Sequence, residues 1–347
     1  MITVSVCMIV KNEEVNLPLC LAHLKDIATE IIVVDTGSSD RTIEVAKSLG
    51  AKVYNFEWTD NFSDARNYSF SKASCDYIYA ADADETIDEE NLFRLKTLLE
   101  DMSETDLDID IVQMYYCNQL ENNTVYNYDK ELRPKLFRRV RSFIWQDPIH
   151  ETVKLEPTVV NSDIEIMHHP APDHGVRDLS AFRRAVNSGL YFSKRLHNLY
   201  ARELFMVGTE EDFHLAKNFF IESSLDVNRS LDEVKEACCV LAHIAVSDHD
   251  LDLLLKYALK DAISESSSEL CYELGRFYQE KQDYDEAIVW YYNAAYEANC
   301  ILDARHGGDL PLRAISECYH ALGDEENAAD YAREADEWEM PTYPTGQ

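Results

Sequence analysis

The chain has 347 residues, 46% apolar and 28% charged, long enough for two compact domains and too mixed in character to stay disordered. Sixty-five acidic against 32 basic residues give a net charge of −33, which weighs against polyanionic partners, and ten glycines without a G-x-G exclude the dinucleotide fingerprint and the P-loop. Nine cysteines, none spaced C-x-x-C, imply neither a disulfide framework nor a zinc finger; with no apolar run of the roughly 18 residues a membrane span needs and no signal-like start, a cytoplasmic protein is expected.

Val4 to Val10 is an apolar run of strand length, Glu13 to Ile27 reads as a helix, and Glu30 to Val34 is a second strand ending at Asp35. Ser39 or Asp40 can cap a helix that runs to Leu49 and stops at Gly50, after which Lys52 to Phe56 forms a third strand. Such an alternation predicts a parallel βαβαβ half-sheet. Ser63 to Ala73 follows as a helix and Tyr77 to Ala81 as a fourth strand, stopping at Asp82-Ala83-Asp84-Glu85. Ligands of such sheets bind beyond the carboxyl ends of the strands, where Asn12, Asp35, Asp82 and Asp84 fall.

Asp82-Ala83-Asp84 is a D-x-D, two carboxylates able to hold a divalent cation that bridges a diphosphate. Five other D-x-D pairs occur, including Asp106/Asp108 and Asp283/Asp285, but none of them ends an apolar strand. Position, not composition, singles out the one at Asp82.

Farther along, Arg133, Lys135, Arg138, Arg139 and Arg141 form a basic run with no acid between Leu132 and Gln146. It is either a surface for a diphosphate or an anionic acceptor, or an outward row of strand charges. Ile164 to His169 reads as a strand ending in two histidines.

From about Leu196 the period becomes helical. Leu270 to Tyr278, a turn at Lys281 to Asp283, and Tyr284 to Ala294 resemble a tetratricopeptide repeat, with Gly275, Ala287 and Ala294 at the small positions where paired helices approach. A second copy holds Tyr319, Gly323, Ala328 and Ala335, and a weaker one Phe213 and Ala216. Residues 201–347 carry net −21, leaving −12 for residues 1–200.

Four segments in order, Val4 to Glu14, Ile32 to Thr42, Ser63 to Asn67 and Asp82 to Glu85, resemble family 2 glycosyltransferases, in the branch with C-terminal tetratricopeptide repeats. The resemblance implies an α/β, Rossmann-like GT-A nucleotide-diphospho-sugar transferase sheet domain over residues 1–195, an all-α helical repeat domain over 196–340 and a tail at 341–347. It implies transfer of a sugar from a nucleotide-sugar, a UDP-sugar by preference, with inversion and with Mn2+ or Mg2+.

By the same resemblance, Asp35, Thr36 and Arg66 would contact the nucleobase, with Ile9 near it through its backbone. Asn12 and Glu13 would flank the donor, Asp82 would lie by the ribose with Ala83 beside it, and Asp84 would bind the metal. His168 or His169 would complete the metal shell. The stretch Trp145 to Glu151 resembles the acceptor side, so Glu151 is expected as the base and Asp147 as its rival; Arg133, Lys135 and Arg138 would face the acceptor or phosphate. The expected acceptor is a peptide, protein or glycan. A hydroxymethylated base in DNA is the alternative, and a catalytically silent scaffold that binds a partner is the alternative of another class.

Overall fold

The computed structural model describes residues 2–105, 108–117, 129–169, 174–262 and 265–342. Residues 343–347 of the expected tail lie outside them. Two compact units divide the described chain near residue 174.

In the first unit the strands are β1 (Val4–Val10), β2 (Glu30–Asp35), β3 (Lys52–Asn55), β4 (Tyr77–Ala81), β5 (Glu85–Thr86), β6 (Ile111–Cys117), β7 (Lys130–Arg138) and β8 (Val159–His168). They form one sheet in the order β3-β2-β1-β4-β7-β6-β8-β5. β1 pairs in parallel with β2 and β4, and β2 with β3, so the expected half-sheet is present. β7 runs antiparallel to β4 and β6, which makes the whole sheet mixed.

Its helices are α1 (Asn16–Leu24), α2 (Thr42–Ser48), α3 (Phe62–Ser71) and α4 (Glu89–Thr105). β1 shows why the central strands read as unbroken apolar runs. Val4, Val6, Met8 and Val10 enter one core with Leu17, Leu21 and Leu95, while Cys7 enters another with Ile32, Val34 and Phe137. A strand covered on both faces has no polar face to alternate.

The second unit is helical: α5 (His174–Asn187), α6 (Lys194–Val207), α7 (Glu210–Leu225), α8 (Leu231–Ser247), α9 (Leu251–Asp261), α10 (Ser268–Glu280), α11 (Tyr284–Tyr292), α12 (Asp309–Leu322) and α13 (Glu325–Glu337). Phe182 of α5 stacks on Tyr200 of α6, with ring centroids 5.0 Å apart. Thr209 and Ser230 close capping boxes at the starts of α7 and α8, the pattern that fixes helix entry in this polar chain. At Gly275 an added Cβ would meet the Tyr291 ring at 2.5 Å, so α10 and α11 touch only because that position has no side chain. α11 ends in a π turn over Asn293–Glu297. All nine cysteines are free, and every one except Cys300 is buried. Among the described residues no helix is long and apolar enough to cross a membrane.

Candidate active site

The loops after β1 and β2 are stitched together. Asn12, at φ 59°, accepts from the Ser39 N–H through Oδ1 at 2.8 Å and donates its own N–H to Ser38 Oγ at 2.9 Å. Asp35 is buried, and its Oδ2 accepts the N–H groups of Gly37 and Ser38 at 3.0 and 3.1 Å, an Asx-type turn that holds the carboxylate at the strand end. Thr36 is buried too, its hydroxyl donating to the Val10 carbonyl at 3.1 Å. Ile9 packs against the core beneath.

Arg66, in the first half of α3, is buried against three protein partners. Its Nε donates to Glu151 Oε1 at 2.9 Å, one terminal nitrogen pairs with Asp82 Oδ1, and the other donates to the Ala81 carbonyl at 3.4 Å. The guanidinium lies 5.3 Å from the centre of the Trp145 ring. Arg66 is therefore an internal strut joining the D-x-D to the segment expected to carry the base.

That segment is itself a closed loop. Gln146 and Thr152 exchange backbone hydrogen bonds at 2.8 and 3.0 Å, and between them lie Asp147 and Glu151. Asp147 and His150 adopt positive φ, 73° and 49°, a tight course for residues that carry side chains. The loop is pinned to α3 by Asn67, which exchanges hydrogen bonds with the Trp145 backbone at 3.0 and 2.8 Å, and by the Phe62 N–H on the Pro148 carbonyl at 2.8 Å.

Asp84 meets β8. His168 Nε2 lies 3.3 Å from Asp84 Oδ2, and both side chains are about one-fifth exposed. His169 instead turns its ring to Thr86 Oγ1 at 2.9 Å, its backbone N–H bonding the Asp84 carbonyl at 2.8 Å. Of the two histidines, His168 is the one brought to the D-x-D. Ala83 is buried between the aspartates.

Charge is unevenly balanced here. Arg66 and then Lys135 outweigh the cost of burial and hold the Asp82 carboxyl well below the usual carboxylate range. Burial, with Asp84, Asp40 and Asp82 nearby, pushes Glu13 up despite the 2.8 Å hydrogen bond it accepts from Asn16.

The basic run divides between the two ends of β7. Tyr79 pairs with Leu136 and Tyr77 with Arg138, so Arg133 and Lys135 point to the carboxyl end of β4 while Arg138 lies at its start. Lys135 is buried and turned inward onto Glu85. Arg133 lies 4.1 Å over the Tyr116 ring and pairs with Glu131. Arg138 pairs with Asp108, and Arg141 with Asp110 at 2.7 Å. The structure thus does not bring Arg138 to the site.

Three participants, Glu85, Tyr116 and Trp145, have no role legible in the linear sequence, although Glu85 and Trp145 lie within segments that carry the resemblance. Glu85 follows the D-x-D and is distinguished only by its partner on another strand. Tyr116 packs at a tilt against His168, ring centroids 4.7 Å apart, and Trp145 against Arg66, across contacts that exist only once the sheet is formed.

Residues 5–153 match the family model described as glycosyl transferase family 2, and residues 268–298 match a tetratricopeptide repeat model. A TPR repeat-containing protein of Synechococcus elongatus is 38% identical over 154 residues, covering 44% of this chain and 36% of the relative. The SPbeta prophage-derived glycosyltransferase SunS of Bacillus subtilis is 35% identical over 91 residues, covering 26% of this chain and 22% of the relative. The chain thus spans about a third or less of these curated relatives. Glucosyl-3-phosphoglycerate synthase of Mycobacterium tuberculosis, solved with Mn2+, UDP and glucosyl-3-phosphoglycerate, is 15% identical with a TM-score of 0.39, covering 55% of this chain and 82% of that one. That likeness is too loose to bear on ligands here.

Proposed function

We propose that the chain, whose residues 5–153 match the family 2 glycosyltransferase model and 268–298 a tetratricopeptide repeat model, transfers a sugar from a UDP-sugar to a hydroxyl or thiol acceptor on a peptide, protein or surface glycan, by metal-dependent inverting displacement. The observation that supports this reading is the Arg66 bridge, which holds Glu151 and the first carboxylate of the D-x-D, Asp82, on one guanidinium.

A divalent ion suits the residues present. Asp84 and His168 supply an oxygen and a nitrogen donor side by side, and Mg2+ or Mn2+ is commonly held by one or two protein groups together with substrate phosphates and water. Among the described residues no three acidic, histidine or cysteine side chains converge to hold an ion by themselves. Among the described residues the carboxylates Asp82, Glu85 and Glu151 gather around two buried cations, Arg66 and Lys135, with Asp84 beside them. Bound there, the ion would offset the charge that develops on the leaving diphosphate.

The protein's own groups do the rest. Asp82, ionised because Arg66 and Lys135 surround it, accepts from the ribose hydroxyls. Asp35 keeps lone pairs free for a uracil N3–H beyond the two turn N–H groups it accepts. Glu151 takes the acceptor proton as the acceptor atom bonds to the anomeric carbon, and the bond from that carbon to the diphosphate breaks on the opposite face, releasing UDP. Arg66 orients Glu151 through one oxygen and leaves the other for the acceptor.

The repeat region, at net −21 over residues 201–347, favours a neutral or cationic acceptor. The DNA alternative rested on the basic run, whose Arg138 and Arg141 are taken up by Asp108 and Asp110. A thermal-shift panel of nucleotide-sugars with and without Mn2+ tests the reading. A Mn2+-dependent rise in melting temperature with UDP-sugars supports it, and no response to any nucleotide contradicts it.

A further inference from the structure

Beneath the Asp82–Asp84 turn lies an ion pair that takes no step of its own in the transfer. Lys135 Nζ, from β7, pairs with the Glu85 carboxylate, and the two side chains are only 5% and 3% exposed. Neither is placed to meet a donor or an acceptor. Burying two charges is costly, and an apolar pair of similar volume is often as stable, so holding the fold together is a weak reason for this arrangement.

Its connections give a better one. Glu85 Oε2 accepts the Asp82 N–H at 3.2 Å, fixing the turn that presents Asp84. The Glu85 backbone is the register partner of His168 in the β5–β8 ladder. Lys135 Nζ also lies 3.7 Å from Asp82 Oδ2 and 5.1 Å from the centre of the Tyr116 ring, which packs at a tilt against His168. One buried pair thus reaches both limbs of the Asp84–His168 pair.

We propose that Glu85 and Lys135 are positioning residues for the divalent metal, a buried jig that holds the Asp84 turn against the His168 strand end. The inference rests on the reading in which Asp84 and His168 hold the ion. Glu85 anchors the turn through the Asp82 N–H, and Lys135 lets two carboxylates share one buried corner. Neither group touches the ion or the substrate.

Electrostatics and positioning predict opposite outcomes for one substitution. Removing a cation from beside a metal site should, by charge alone, tighten metal binding, whereas losing a positioning residue should weaken it. The experiment is a Mn2+ titration of the full chain with UDP, free Mn2+ being read by electron paramagnetic resonance, with a melting curve for each metal-free protein. Wild type should bind Mn2+ and Asp84→Asn should not. Lys135→Met and Glu85→Ala should bind about 10- to 100-fold more weakly. Glu85→Gln, which keeps an acceptor for the Asp82 N–H, should recover most of the loss.

Binding by Lys135→Met as tight as wild type or tighter, or no recovery in Glu85→Gln over Glu85→Ala, overturns the proposal while the metal reading stands. If Glu85→Ala does not fold, Lys135→Met and Glu85→Gln against wild type decide it. Absence of Mn2+ binding by wild type with UDP sinks the metal reading and the proposal together, a result distinct from equal binding by wild type and variants.

Discussion

Arg66 donates through Nε to Oε1 of Glu151 at 2.9 Å, joining residues 85 positions apart, while its other face holds Asp82. A single guanidinium therefore orders the two carboxylates assigned to opposite halves of the reaction. Removing it leaves Glu151 without its cation and Asp82 with Lys135 alone at 3.7 Å.

Arg66→Ala should accordingly cost stability as well as activity. Breaking a buried pair from one side costs about 3 to 5 kcal/mol, and the exposure of Asp82 favours the lower end. Urea denaturation followed by circular dichroism checks the stability loss. A loss confined to nucleotide affinity, with stability and kcat unchanged, would mean that the guanidinium serves the donor and not the scaffold.

Glu151→Gln separates binding from chemistry. The amide oxygen can still accept from Arg66, but it cannot take a proton. Transfer should fall about 10²- to 10⁴-fold while UDP affinity with Mn2+, measured by calorimetry, stays within twofold. Normal transfer would move the base to Asp147, on the same closed loop.

A carboxyl in α6 gives a test by pH. Burial, helped by Asp178, pushes Glu203 up to about 7. A carboxyl whose pKa rises on folding contributes its stability below the unfolded value, near 4.3, and loses it as pH climbs through the folded value. Glu203→Gln, which cannot ionise, should gain on wild type by about 2 kcal/mol between pH 5 and pH 8. Urea midpoints at the two pH values check this; equal differences at both would contradict it.

Gly275→Ala probes the repeat packing. Alanine gains about 1 kcal/mol of helix propensity over glycine, yet the new Cβ would lie 2.5 Å from the buried Tyr291 ring. Overpacking of that kind costs about 1 to 3 kcal/mol, so the net effect should be a lower melting temperature. A higher one would mean that α10 and α11 have room to spare.

Much of this arrangement was legible because chemistry and position coincide at strand ends. Asp35 and Asp82 close apolar runs, and runs of that kind can only be buried strands, so their ends had to fall on one edge of the sheet. Helix starts were less legible. α1 begins at Asn16 and not at Glu13, because the Glu13 N–H goes to Thr42 Oγ1 and Glu14 accepts the Arg41 N–H, bonds to the neighbouring turn that no local pattern reveals. The basic run misled for a similar reason. Its spacing is regular, but only the antiparallel pairing of β7 with β4 decides that Lys135 turns in toward Glu85 while Arg138 lies at the far end. Arg66 likewise offered a cation to a ligand until Glu151, from another loop, claimed it.

The most direct test of the account is UDP-sugar turnover by the full chain, read as UDP release with and without Mn2+, in wild type and in Asp84→Ala. Losing such a charge-stabilising group typically costs 100-fold or more. The account predicts Mn2+-dependent release by wild type, abolished by EDTA and reduced about 100-fold or more in a folded Asp84→Ala. Undiminished release by that variant, or by EDTA-treated wild type, would contradict it.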